Sequence, residues 1–238
     1  MTPPKSVALA VTSYYGPFYE DGKKTGAYFS EVYHPWKYFT EQGYKVQLFS
    51  ETGTFNWDQH SIADGALSAD EKAVLDDKSH DFHKATQAIK KASELNPADY
   101  GVFYAAGGHG TIFDFDGKAP GVASFAGKVW DDGGVVSAVC HGPVILGFIK
   151  DKDGKLVTEG RKVTGFSDEG EVLFHLDGLL KKNGWKTVQD VVKGKSTYVA
   201  PEPPLASTVV TDGRLLTGAN PASATPLAEA VDKVYKSL

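Results

Sequence analysis

The sequence contains very little sulfur, with one cysteine, Cys140, and one methionine among 238 residues. A single cysteine excludes a disulfide within the chain and is typical of proteins from a reducing compartment. Cysteine pairs and the HExxH motif, which would indicate a zinc site, are absent. His80 and His83 could share one helix face, but one such pair does not predict a metal site. We therefore expect no metal, and any sulfur nucleophile must be Cys140.

Long apolar runs and blocks of positive charge are also missing. No segment approaches the roughly 20 apolar residues that span a bilayer, and residues 1–6 lead into a strand pattern without the apolar core of a signal peptide. The formal net charge is −5 and the lysines are scattered, which argues against a general nucleic-acid binder. We expect a cytoplasmic protein, with features also compatible with the nucleus, that binds neither nucleic acid nor membrane.

Short apolar runs alternate with helical patterns along the chain, whose 41% hydrophobic and 23% charged residues are typical of globular proteins. Strands are predicted at residues 7–11, 46–50, 100–106, 135–139 and 162–166, with a hairpin at 208–217. Helices are predicted at 31–43, at 69–92 with a break near 78–79, at 122–130 and at 222–238. This alternation predicts an α/β domain over residues 1–238, with a mostly parallel sheet covered on both faces. Residues 52–97 are expected to form a polar, partly helical insertion.

Cys140 lies at a predicted corner between a strand and a helix. The five residues before it are apolar enough for a strand buried on both faces, Gly142 permits a tight turn, and Pro143 suits the first turn of a helix. Such a thiol projects from the carboxyl end of the sheet, and a helix start there would favour the thiolate. The same corner carries the serine of many hydrolases. We predict that Cys140 is a nucleophile, the alternative being a buried structural cysteine.

A catalytic cysteine needs a base and a group that orients the base. His141 adjoins Cys140 and is the candidate base, although a structural hydrogen bond is the alternative. The segment after the fifth predicted strand offers Asp168, Glu169 and Glu171 as orienting carboxylates, and their spacing does not choose among them. A solvated acidic segment that caps a helix would look the same.

The Gly-Gly-His-Gly-Thr loop at residues 107–111 follows the third predicted strand. In an open α/β sheet this loop lies at the edge where ligands bind. Glycines let the backbone approach a substrate, so N–H groups here, including that of Gly108, could form an oxyanion hole. The alternative is a tight turn without function, and the loop lacks the spacing of a phosphate-binding motif.

The run Ala-Val-Cys-His-Gly-Pro at residues 138–143 resembles the nucleophile elbow of the ThiJ/PfpI superfamily. Other stretches resemble one fungal branch of it, the heat-shock-protein-thirty-one type, described as glutathione-independent glyoxalases (glyoxalase III) with chaperone activity. These stretches are residues 12–14, 21–26, 34–35, 50–53, 107–111, 164–168, 211–214 and 217–224. Together they cover nearly the whole chain in order.

The resemblance implies a flavodoxin-like α/β sandwich that forms a homodimer, acts on a small α-oxoaldehyde and needs no cofactor. The family's catalytic cysteine and histidine match Cys140 and His141, and its acidic third member matches Glu171. A second glutamate of the family matches Glu31, for which this resemblance is the only support. Two segments depart from the usual form, residues 15–17 and 201–205. Both are expected at the pocket rim, where they bear on substrate preference.

The expected reaction converts methylglyoxal to lactate through a hemithioacetal on Cys140, with His141 carrying the proton and backbone N–H groups of Gly108 and His141 stabilising the oxyanion. Chaperone activity toward unfolded client proteins is expected beside it. The alternatives are a Cys-His hydrolase or peptidase, a protein deglycase, and a holdase chaperone or redox sensor that acts independently of catalysis.

Overall fold

Apolar strands buried on both faces form the central sheet, as the sequence pattern predicts. The computed structural model describes residues 3–238, so Met1 and Thr2, which begin the stretch where no signal peptide is expected, lie outside the described residues. Every residue of the strands at 102–105, 135–139 and 215–218 is buried, which is typical of parallel strands between two helical layers. The strands described are β1 (Ser6–Ala10), β2 (Gly16–Pro17), β3 (Lys24–Thr25), β4 (Lys45–Ser50), β5 (Lys90–Lys91), β6 (Val102–Ala105), β7 (Val135–Val139), β8 (Lys162–Val163), β9 (Thr197–Tyr198), β10 (Val209–Asp212) and β11 (Leu215–Gly218).

The main sheet has the strand order β10-β11-β7-β6-β1-β4-β5. Its neighbouring strands are all parallel except β10 and β11, which form the hairpin predicted around Asp212 and Gly213. The chain first extends the sheet from β1 to β4 and then returns to the other side of β1 with β6. Ligands of open α/β sheets bind at the carboxyl ends of the strands where the order reverses in this way.

Helices cover both faces of the sheet. They are α1 (Phe29–Glu41), α2 (Ala69–Asp76), α3 (Asp81–Gln87), α4 (Thr111–Asp114), α5 (Pro120–Asp131), α6 (Asp168–Leu173), α7 (Asp177–Asn183), α8 (Val188–Val192) and α9 (Ala224–Tyr235). Alternate residues of β1 enter two different hydrophobic clusters, one shared with α1 and α9 and the other with α5 and α8. This alternation follows from the period of two in a strand and produces the predicted sandwich. Among residues 3–238, none of the helices combines the length and hydrophobicity needed to cross a membrane.

The strand predicted at residues 162–166 is wrong in its place and length. Only β8 forms there, and it pairs with β9 in a separate two-stranded sheet because β11 occupies the position beside β7. The residues after β8 instead cross the ends of the main strands. The Thr164 N–H donates to Thr217 Oγ1 (2.7 Å), and the Phe166 N–H donates to the Cys140 carbonyl (2.8 Å).

Helix α1 begins two residues before the predicted start at Glu31, so Pro35 lies inside the helix and not in its first turn. Proline there removes one backbone hydrogen bond. The helix tolerates this because one face is deeply buried, with Val32 and Phe39 fully inaccessible to solvent. Tertiary burial therefore outweighs the local preference of proline for the helix start.

Two other helix predictions are only partly right. The break near residues 78–79 is present, between α2 and α3, but α3 ends at Gln87. Strand β5 then adds an edge strand beside β4, and a 3₁₀ helix follows at Ala92–Glu94. The helix expected after Pro143 is a buried 3₁₀ helix, Gly142–Gly147. The expected helical dipole behind Cys140 is thus reduced to a short segment with tighter turns.

Glu51 supplies a cap to α5 from another element. Its carboxylate accepts the N–H groups of Gly121 (3.2 Å) and Val122 (3.0 Å), while Ala119, the residue at the helix start, offers no side-chain cap. A carboxylate here satisfies free N–H groups and complements the helix dipole. The carboxyl end of β4 and the start of α5 are thereby joined.

We predict that Glu51→Ala lowers the free energy of unfolding by about 1–2 kcal/mol, the usual cost of losing a helix cap. Urea denaturation at neutral pH measures this change. Glu229→Ala on the exposed side of α9 is the control, with an expected change within about 0.5 kcal/mol. Equal changes in the two variants would contradict the capping role.

Candidate active site

Cys140 occupies a sharp bend at the carboxyl end of β7. Its φ of 59° lies in the left-handed region, which is unfavourable for a residue with a side chain. Two backbone contacts hold the bend: the Cys140 N–H donates to the Gly218 carbonyl (2.9 Å), and its carbonyl accepts from Phe166 (2.8 Å). This is the geometry of a nucleophile elbow, in which the side chain is pushed out of the strand toward the sheet edge.

Glycine is required where other backbone segments approach this bend. A Cβ on Gly107 would lie 2.7 Å from the Val139 carbonyl oxygen and 2.9 Å from Cys140 Cβ. A Cβ on Gly108, whose φ is 110°, would lie 2.7 Å from the Tyr28 backbone nitrogen. The loop after β6 can therefore pass beside the thiol only because both positions lack side chains.

His141 and Glu171 continue from the thiol in a hydrogen-bonded chain. Cys140 Sγ lies 3.2 Å from His141 Nδ1, and His141 Nε2 lies 2.7 Å from Glu171 Oε1. All three side chains are buried. The structure thus brings together the residues that the resemblance assigned as nucleophile, base and orienting acid, in that order.

Helix α6 selects Glu171 from the three carboxylates that the spacing left open. The Ser167 hydroxyl caps the helix by accepting the Gly170 N–H (3.0 Å), and this start directs Glu171 inward. Glu169 is exposed, and Asp168 lies near Gln189, whose side-chain oxygen accepts the Asp168 N–H (2.7 Å). Neither of these two is bonded to His141 in the described part of the chain.

His109 is a member of the site that the sequence reasoning missed. Its Nε2 lies 3.2 Å from the second oxygen of Glu171, and its ring centroid is 4.0 Å from that of His141. The other side of the ring stacks on Phe18. The sequence pattern of the glycine-rich loop predicts a role for its backbone N–H groups only. A histidine between glycines at the carboxyl end of a strand was the signal available.

Burial and hydrogen bonding set the charges of His141 and Glu171. It lowers the pKa of His141 to about 4, assisted by the charge of His109 and opposed by Glu171. Burial would raise the pKa of Glu171, but the charges and hydrogen bonds of the two histidines outweigh it and hold this pKa well below its usual range. At neutral pH the site therefore contains a neutral His141 beside an ionised Glu171.

Glu31 lies next to the thiol at the start of α1 and is completely buried. Burial raises its pKa to about 8, although the Cys140 thiol and the Gly107 N–H lie close enough to favour its charged form. Neither contact has regular hydrogen-bond geometry, since both carboxylate oxygens lack a partner among residues 3–238. The structure thus places the glutamate, which no local pattern indicated, beside Cys140.

The sequence predicts that the start of a helix after Cys140 favours its thiolate. This prediction is wrong, because the surroundings of the sulfur together favour the neutral thiol. Burial, followed by the negative charge of Glu31, raises the pKa of Cys140 well above its usual value. The backbone N–H of His141 lowers the pKa of Cys140, but this effect is smaller than those of burial and Glu31. Because thiol and carboxyl are buried together, they lose their protons in two steps that belong to the pair.

Three residues of this site could also hold a metal ion. One ligand atom each from His109, His141 and Glu171 lies within 4.8 Å of the others, and two imidazoles with a carboxylate are a known zinc set. An ion bound there would replace the hydrogen bonds from both rings to Glu171. The pair considered from the sequence has other contacts: His80 Nδ1 accepts the Phe82 N–H, and His83 Nε2 contacts the Val74 carbonyl.

A cavity of about 600 Å³ opens above Cys140. Gly108, His109 and His141 line its inner end. Of the two segments expected at the rim, residues 201–205 contribute Leu205, whereas residues 15–17 are not among the lining residues. The backbone N–H groups of Gly108 and His141 donate to no backbone carbonyl within residues 3–238.

Known proteins are similar to this chain in sequence and in fold. Glyoxalase 3 of Candida albicans is 45% identical over 97% of this chain and 98% of its own length. The glutathione-independent glyoxalase HSP31 of Saccharomyces cerevisiae is 44% identical over 93% of this chain and 94% of its own. The crystal structure of glyoxalase III from Candida albicans matches with a TM-score of 0.94 at 43% identity, covering 98% of both chains, which confirms the flavodoxin-like sandwich. The profile of the DJ-1/PfpI family matches residues 25–233, and the chain therefore belongs to the DJ-1/PfpI family.

Proposed function

We propose that this protein is a glutathione-independent glyoxalase that converts methylglyoxal to lactate at Cys140. The observation that carries the proposal is the contact of the thiol with His141 Nδ1 at 3.2 Å, with Glu171 at 2.7 Å on the other ring nitrogen. The names of the relatives at 44–45% identity support the same activity. The cysteine takes the place that a diffusible thiol would otherwise fill.

The first step adds the thiol to the aldehyde. An ionised Glu171 accepts the N–H at His141 Nε2, which leaves the lone pair of Nδ1 facing the sulfur. Because the pKa of His141 is about 4, the ring is neutral and can accept the thiol proton. The sulfur–carbon bond forms, the aldehyde oxygen gains the proton, and a hemithioacetal results.

The second step moves a proton between the two substrate carbons. His141 removes it from the former aldehyde carbon and returns it to the neighbouring carbon through an enediol. The first carbon is oxidised and the second reduced, so no external oxidant is required. Water then cleaves the resulting thioester, releasing lactate and restoring the thiol. Glu171 stabilises the charged imidazole during these transfers.

The developing oxyanion needs donors that are already in position. Gly108 and His141 both line the cavity with Cys140, and their N–H groups are the donors that we assign to the oxyanion. Each donor of this kind is typically worth about 2.7–4 kcal/mol in the transition state. Glu31 keeps its proton near the sulfur, because two buried anions in contact would repel each other.

The resemblance also supports proposals that the site itself does not address. We propose a cytoplasmic homodimer, also compatible with the nucleus, that binds unfolding client proteins under stress. The substrate partner is a small α-oxoaldehyde, and the scattered positive charge supports a protein that binds neither nucleic acid nor membrane.

Cys140→Ser is expected to lower lactate formation from methylglyoxal by about 10³-fold or more without glutathione, because the hydroxyl is a far weaker nucleophile. Chiral chromatography of lactate measures the product, and an unchanged thermal unfolding curve is the control for folding. Wild-type turnover in the variant would contradict the mechanism. A wild-type protein that hydrolyses esters or peptides but leaves methylglyoxal unchanged would instead favour the hydrolase.

Glu171→Gln should reduce kcat by about 10²–10⁴-fold, because the amide carries no charge to stabilise the imidazolium. Steady-state kinetics with methylglyoxal measure this loss. Glu169→Gln is the matched control, since the same change on the same helix affects an exposed side chain and should leave kcat near the wild-type value. Near-normal activity of Glu171→Gln would move the orienting role to another acid, with Asp168 the next candidate.

Glu31→Gln is expected to flatten the dependence of stability on pH. With a pKa of about 8 in the folded protein and 4.5 as its ordinary value, Glu31 is protonated in the folded state and ionised in the unfolded chain between these values. The free energy of unfolding therefore falls as pH rises through this window, and the neutral amide removes that contribution. Urea denaturation at pH 5, 6.5 and 8 measures the slope.

Other buried acids, such as Asp114, also make the free energy of unfolding depend on pH. Their contributions are the same in the wild type and in Glu31→Gln, so they cancel when the two slopes are compared. Glu169→Gln should keep the wild-type slope, because its carboxylate is exposed in the folded state. Identical slopes for wild type and Glu31→Gln would contradict a protonated Glu31.

A further inference from the structure

The cavity above Cys140 is larger than methylglyoxal requires. In the proposed mechanism, the two carbonyl carbons of that substrate react beside the sulfur and His141, which leaves the rest of the cavity unfilled. A volume of about 600 Å³ falls within the range of about 300–1,000 Å³ that is typical of sites for drug-sized ligands. The chemistry of the remaining walls therefore carries information about the substrate.

A row of stacked rings leads from the reacting groups to the cavity mouth. The ring centroids of His141 and Phe166 are 4.7 Å apart at an interplanar angle of 25°. Those of Phe166 and Phe174 are 5.9 Å apart at 30°. All three rings line the cavity. The row offers apolar contact that begins at the catalytic histidine and continues outward.

The outer end of this row is incompletely buried. Phe174 is 55% exposed and Leu205 is 42% exposed, and both line the cavity, where Leu176 and Tyr28 add further apolar or aromatic surface. Leu205 belongs to the segment 201–205, which is expected from the sequence to lie at the pocket rim. Large apolar side chains that are half exposed around one opening are the groups that gain most from covering by an apolar ligand.

We propose that the site prefers 2-oxoaldehydes with an aromatic substituent to methylglyoxal. This inference rests on the proposed glyoxalase function. The carbonyl pair occupies the inner end, and the aromatic ring packs against Phe166 and Phe174 in the offset or edge-to-face contacts that aromatic pairs adopt.

Phenylglyoxal is the simplest such substrate. The thiol adds to its aldehyde carbon, His141 transfers the proton to the ketone carbon, and water cleaves the thioester to give mandelate. The aldehyde carbon is oxidised and the ketone carbon reduced, as with methylglyoxal. The reagent also reacts with arginine, but Arg161 and Arg214, the only two in the sequence, stack on Trp130 and do not line the cavity.

The test compares kcat/KM for phenylglyoxal and methylglyoxal without glutathione, with mandelate and lactate measured as products. The wild type is expected to favour phenylglyoxal by about tenfold or more, a difference typical of an added apolar group that fills a pocket. Phe174→Ala and Leu205→Ala should each reduce this ratio by about three- to tenfold. Leu173→Ala is the matched control, because Leu173 is also 55% exposed and adjoins Phe174 but does not line the cavity.

The possible failures can be distinguished. Turnover of methylglyoxal with a lower kcat/KM for phenylglyoxal, or ratios unchanged by both cavity variants, would overturn the preference and leave the glyoxalase function standing. A ratio that falls equally in Leu173→Ala would also overturn it, since the effect would not belong to the cavity. Absence of lactate and mandelate with the wild type would overturn the glyoxalase function itself.

Discussion

The left-handed backbone at Cys140 is the constraint on which the rest of the site depends. A residue with a side chain adopts φ near 59° only when neighbouring structure compensates for the strain. Here the compensation comes from the Gly218 carbonyl at the end of β11 and the Phe166 N–H in the segment after β8. The elbow therefore exists only after distant parts of the chain have assembled around β7. The same bend sets the sulfur beside His141 and below the cavity.

Burial then decides the protonation states. A site open to water would leave a carboxyl, an imidazole and a thiol near their ordinary pKa values. Enclosure raises the pKa of Glu31, lowers that of His141 and raises that of Cys140. Glu171 is the exception, because two imidazoles bond to its two oxygens and keep it ionised. These opposing pKa shifts leave Glu171 as a carboxylate that accepts hydrogen bonds and Glu31 as a carboxyl that holds its proton. This difference suits proton transfer at neutral pH.

The cavity joins this reactive end to an apolar surface. The ring of His141 stacks on Phe166, so the proposed base adjoins the aromatic wall against which we propose that a substrate ring packs. Under these proposals, the chemistry belongs to the His141 end of the aromatic row and the substrate preference to the Phe174 end. The preference can change at residues near the mouth, such as Leu205, without disturbing the hydrogen bonds at the inner end.

Much of the fold follows from local patterns in the sequence. The apolar runs around residues 7–11 and 135–139 are strands because their side chains alternate between two buried faces, and the run at 138–143 marks the elbow and its thiol. The pairing of β8 and the interior position of Pro35 could not be predicted, because they depend on which segment occupies a sheet edge and on how much surface a helix buries.

The candidate site divides in the same way. Cys140 and His141 adjoin in the chain, so the sequence by itself determined that they share a corner. Only the tertiary structure selects Glu171 over Asp168 and Glu169. It also brings His109 to Glu171 and places Glu31 beside the sulfur, although resemblance to a family pointed to Glu171 and Glu31. The physical reason is that hydrogen bonds between residues far apart in sequence depend on where the carboxyl ends of parallel strands meet, which local spacing does not encode.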